Sequence, residues 1–162
     1  MFFKSLALFF IFLNLAHAGA TQIKPDQELY TEAVNLLSTA RSMQKFPMDH
    51  SADEVYTRLT LVAHDLLRRF PDSTYAADTM LLLGLSYEVL RERGHWTLHE
   101  VYFEACIRKA PHTQTAEKCF DQYEQAIYAS YTGSSGVSVP IEELKKISEL
   151  EILAIPNRTK MY

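Results

Sequence analysis

From Arg68 to Leu90 the chain reads RRFPDSTYAADTMLLLGLSYEVL, and the second half of that stretch is apolar in too many directions to stand alone. Phe70-Pro71 stops one segment, because proline lacks an amide hydrogen and pushes its predecessor out of helical geometry. Asp72 and Ser73 then offer a cap for a new helix. Ala76, Met80, Leu83, Gly84, Tyr87 and Leu90 recur on one helical face, while Leu81, Leu82, Leu85 and Val89 fill a second. A helix apolar on two sides must be covered on two sides. That demand points to stacked helices and excludes a lone amphipathic segment.

The flanking sequence supplies the partners. Pro25 is placed to open a first helix whose stripe is Leu29, Ala33, Leu36, Leu37, Ala40 and Met43, ending at Phe46-Pro47. Ser51-Ala52-Asp53-Glu54 fits a capping box, which predicts a second helix from about Ala52 with Val55, Leu59, Val62, Ala63, Leu66 and Phe70 inward. Arg68 and Arg69 suit its negative pole. The third helix, from the opening stretch, closes between Arg91 and Gly94. Thr97-Leu98-His99-Glu100 reads as another capping box, with Trp96 and Val101 as a hydrophobic staple, and starts a fourth helix that runs to about Lys109. Pro111 and Thr113 open a fifth, with Ala116, Cys119, Phe120, Tyr123, Ala126, Ile127 and Ser130 on its apolar face. Tyr131 to Gly136 breaks the pattern as a loop. Pro140 then opens a last helix with Leu144, Ile147, Leu150 and Ala154 on one side, closed by Pro156. Five glycines and no alternating apolar runs argue against a β architecture.

The first residues read as an export signal. Lys4 gives the positive start, Leu6 to Leu15 the short apolar core, and Ala16-His17-Ala18 the cleavage site, so residues 1–18 are a leader and a single domain spans 19–162. The expected location is the periplasm, or outside the cell as the alternative. An apolar core of that length falls short of the roughly 20 residues of a permanent span, and no later stretch supplies one. With 16 basic against 20 acidic side chains, the balance argues against nucleic acid and anionic lipid as partners.

Leu83-Gly84 followed by Tyr87, then Phe103 and Pro111, resembles the tetratricopeptide (TPR) pattern in the form found in TPR-like proteins of the bacterial envelope, such as the outer-membrane assembly lipoprotein and the Tol-Pal coordinator. The resemblance runs from about Ala40 to Pro111. Pro47, Pro71 and Pro111 recur at unequal intervals, against a family unit of about 34 residues. The resemblance implies an all-α, right-handed array of about six helices that binds another envelope protein or peptide segment. It also implies a concave groove at Asp78, Leu81, Leu85, Glu88 and Val89, an apolar floor with an acidic rim suited to a segment with basic flanks. Two occupants stay open: such a partner segment, or the chain's own last helix, Ile141 to Ala154, closing the array.

Cys106 and Cys119 flank the turn at Pro111 on successive helices, with an axial offset of roughly 4 to 5 Å, which permits a disulfide; two buried thiols are the alternative. His95, His99 and His112 together with these cysteines invite a metal reading, but a helix starting after Thr97 separates His95 from His99, and no tight ligand motif is present. The reading is therefore no metal and no cofactor, with a metal- or haem-handling protein as a further alternative should the histidines and cysteines converge. The GSSG stretch with Ser134 and Ser135 lacks the G-x-S-x-G spacing of a nucleophile elbow, and no lysine follows it for a phosphate cradle. It reads as a surface connection in a non-catalytic chain. Tyr128 and Tyr131 beside it are a second candidate contact surface, through which the chain would act as an accessory subunit or inhibitor of an envelope enzyme or transporter.

Overall fold

The computed structural model describes residues 24–46, 49–91, 97–134 and 136–155. Residues 1–18, read above as a leader, and Gly94, His95, Trp96, Ser135 and Pro156 lie outside them. Six helices make up the described chain: α1 (Pro25–Met43), α2 (Asp53–Arg69), α3 (Ala76–Leu90), α4 (Leu98–Lys109), α5 (Gln114–Ser130) and α6 (Ile141–Ala154). The fold is all-α. None of the described helices is long and apolar enough to cross a membrane.

Each helix packs on the next in sequence, and α3 also touches α1 and α5, so α1, α3 and α5 form one row with α3 in the middle. This is the two-sided cover that the apolar surface of α3 requires. Its strict inner face, Leu83, Gly84, Tyr87 and Leu90, is buried, and Leu81, Leu85 and Val89 are half-buried. Two apolar clusters result. One joins α1, α2 and α3 around Ala33, Leu59, Ala63 and Leu83. The other joins α4, α5 and α6 around Phe103, Ile107, Phe120 and Leu150. Leu85 packs against both.

Gly84 explains itself at the α3–α4 crossing. A Cβ there would run into the Phe103 ring, which is fully buried. Across the turn that follows, Cys106 and Cys119 are joined with Cα atoms 6.2 Å apart, tying α4 to α5.

Several local expectations are corrected. The Ser51 to Glu54 capping box does not form. Asp49 accepts from the Ser51 amide at 3.0 Å, winds His50–Ala52 into one 3-10 turn, and delays α2 to Asp53. Thr97 makes no side-chain cap bond to α4. Ser73 does not cap α3 directly; its hydroxyl accepts from the Tyr75 amide at 3.1 Å and donates to Asp26 Oδ2 at 2.7 Å, linking the α3 turn to α1. Thr113 does cap α5, accepting from the Ala116 amide at 3.2 Å. The segment read as a loop after α5 closes as a small antiparallel hairpin, β1 (Thr132–Gly133) with β2 (Gly136–Val137). Gly136 sits at φ 103°, a conformation that side chains resist.

Candidate functional site: a cleft across one row of helices

α1 and α5 flank α3 and leave a cleft of about 370 Å³ above it. Leu37 from α1 and Leu81, Leu82 and Leu85 from α3 give it an apolar lining; Arg41, Lys118, Asp121 and Gln122 add the polar part. Leu37 and Leu82 are buried, Leu81 and Leu85 are half-buried, and Arg41, Lys118 and Asp121 are exposed. An apolar floor below separate charges can hold a side chain or a short segment of another chain, with the charges fixing its orientation.

Of the five groove positions taken from the resemblance, Leu81 and Leu85 line this cleft. Asp78 does not form a rim. Its Oδ1 accepts from the Thr115 hydroxyl at 2.7 Å and fastens α3 to α5. Val89 packs into the first apolar cluster. Glu88 is half-buried away from the cleft lining, and burial pushes its carboxyl above the usual range, partly offset by Arg91. The rim is therefore of mixed sign, not acidic. Sequence reasoning missed Arg41, Lys118 and Asp121, which look like ordinary solvated positions until α1 and α5 are brought beside α3. The last helix does not close the cleft: α6 packs on α4 and α5, and no lining residue comes from it.

A second group also escaped the sequence. His64 of α2 lies between two tyrosines, with Nε2 2.9 Å from the Tyr87 hydroxyl and Nδ1 3.5 Å from that of Tyr102. The two phenol rings stack at 5.5 Å. Burial lowers the His64 pKa, which favours the neutral ring that can both donate and accept. The group bridges α2, α3 and α4 and reads as internal bonding.

Among the described residues, the histidines and cysteines do not converge. The cysteines are bonded to each other, His112 Nδ1 lies 3.1 Å from the Ile155 carbonyl oxygen, and His99 is enclosed beside Phe103. His95 lies outside the described residues. Tyr128 in the last turn of α5 and Tyr131 just after it are partly exposed, and Ser134 is exposed at the tip of the hairpin.

Among the described residues, the helices form an array with a mixed-sign cleft across the row of α1, α3 and α5. The chain matches no protein-family model, no curated protein and no solved structure.

Proposed function

We propose that this protein is a non-catalytic, TPR-like adaptor or scaffold of an exported compartment, the periplasm or the cell exterior, that binds a segment of another envelope protein in the cleft of α1, α3 and α5. The observation that carries the reading is the half-buried pair Leu81 and Leu85 on the central helix, framed by charges from both flanking helices. Partner side chains entering there gain apolar burial, while Arg41, Lys118 and Asp121 set direction and register. The leader-like first residues and the joined cysteines support the exported setting.

A photoreactive phenylalanine analogue at position 81 tests this in cells. It should give a discrete protein adduct that the same analogue at exposed Ser38 does not, and Lys118→Glu should remove the adduct. No adduct from position 81, or one indifferent to Lys118→Glu, contradicts the reading. The second reading, an accessory subunit or inhibitor acting through the hairpin, rests on partly exposed Tyr128 and Tyr131. It predicts its adduct from position 131 instead.

A further inference from the structure

The cleft above α3 keeps its positive charges uncommitted. Arg58, Arg68, Arg69 and Arg108 each hold a carboxylate, at 3.1, 2.6, 3.0 and 2.9 Å. Arg41 and Lys118 are exposed and form no ion pair among the described residues. The carboxylates of α3 do not serve them, since Asp78 accepts from Thr115 and Glu88 lies outside the cleft lining. Among the described residues, Asp121 is the one carboxylate in that lining, one turn from Lys118 on α5 and on the bank opposite Arg41. The cleft of a chain with 16 basic against 20 acidic side chains therefore carries two cations and one anion.

The placement of the two cations follows from the register of the row. Tyr30 stacks on Tyr75 at the starts of α1 and α3, with ring centroids 4.6 Å apart, and the Asp78–Thr115 bond joins the starts of α3 and α5. Counting along each helix from those fixed points puts Lys118 level with Leu81 and Arg41 about level with Leu85. The cations thus stand on opposite banks at opposite ends of the half-buried leucine pair, about 6 Å apart along α3. A short segment laid diagonally over the leucines meets a positive charge at each end of its apolar stretch.

We infer that the cleft takes a segment whose apolar side chains are flanked on both sides by carboxylates, which pair with Arg41 and Lys118 while the apolar part covers Leu81 and Leu85. This rests on the cleft being a partner site and fixes the chemistry of the partner. It is the reverse of the basic flanks that an acidic rim would call for: a basic segment would find Asp121 alone and bring like charge against both cations over an apolar floor.

Two acetylated and amidated peptides, GELLEG and its charge-reversed twin GKLLKG, titrated into isotope-labelled protein at low salt and followed by NMR, test the assignment. The acidic peptide should shift the Leu81, Leu85 and Lys118 amides with a Kd of about 1 mM or tighter, and added salt should weaken it. Arg41→Glu and Lys118→Glu should each weaken binding by about threefold or more, and the protein carrying both should lose the acidic peptide and take the basic one. Both side chains are exposed, so circular dichroism should match the parent in each variant. No shifts in the cleft, a basic peptide that binds the parent as tightly as the acidic one, or a double variant that still prefers the acidic peptide would overturn the inference. The adaptor reading is tested apart from it. A position-81 adduct whose captured segment is basic or uncharged sinks the carboxylate assignment and leaves the adaptor standing, whereas the absence of any adduct sinks the adaptor.

Discussion

Position 84 shows how much of this fold hangs on one missing carbon. The Phe103 ring occupies the space a Cβ would take, and it has no room to retreat because it is fully buried between α3 and the apolar cluster of α4, α5 and α6. Gly84→Ala gains roughly 1 kcal/mol of helix propensity but forces ring and backbone apart at a cost of about 1–3 kcal/mol or more. We expect a net loss of up to about 2 kcal/mol, read as a lower denaturant midpoint. The histidines give a pH signature at the same scale. Burial lowers the pKa of His64, and burial with help from Arg91 lowers that of His99. His99 stays neutral beside Glu100, whose Oε1 is 3.8 Å away, so that contact is not an ion pair. Because the folded pKa lies below the unfolded one, the unfolded chain binds protons first as pH falls through about 6.5; the stability present above that value is lost below it. Glu88 and Glu100 are both pushed up by burial and act in the opposite sense, nearer their own range. The histidine part is therefore the difference between parent and His64→Gln. We expect the melting temperature to fall less steeply in the variant between pH 7.5 and 5.5.

At the scale of elements, the second half of the molecule is held by two devices besides its apolar cluster. Joining Cys106 to Cys119 closes a loop of sequence separation 13, which in the chain-entropy view stabilises by about 3 kcal/mol. Reduction, or the paired change Cys106→Ala with Cys119→Ala, should lower unfolding free energy by roughly that amount while leaving helix content unchanged by circular dichroism. α6 is latched by Glu104, which takes Lys146 at 2.6 Å and Arg108 at 2.9 Å. Burial raises the Glu104 pKa, but the bonds to Lys146 and Arg108 outweigh it and the carboxyl ends below its usual range. With both cations partly exposed, Glu104→Gln should cost only about 1 kcal/mol, screened by salt. These elements also show what the sequence carries. Periodicity alone places six helices, since stripes such as Leu59–Val62–Ala63–Leu66 admit one reading. The starts of helices are less readable, because a cap is a contest between near neighbours. Asp49 takes the Ser51 amide before a capping box can form, so α2 begins at Asp53. The rim of the cleft was hidden for a different reason: Asp78 is spent on Thr115, 37 residues away, and no local pattern announces that.

For the whole molecule, the organising fact is the middle position of α3. It touches α1, α2, α4 and α5, and its second face is shared between support and opening. Leu85 belongs to both apolar clusters as well as to the cleft. Leu85→Ala should therefore cost about 1–2 kcal/mol even though the side chain is only half-buried, and Leu85→Glu should lower melting whether or not a partner binds. Exposed Lys118 can be changed without that penalty, which makes it the cleaner probe of the cleft.

Native-state hydrogen exchange, resolved by residue, tests the central position of α3 most directly. If α3 is gripped from both sides, the amides from Leu82 to Tyr87 exchange only when the entire chain unfolds, with a free energy equal to that from chemical denaturation, while α6 at the end of the array exchanges through smaller openings. Amides of α3 that exchange as readily as those of α6 would contradict the account.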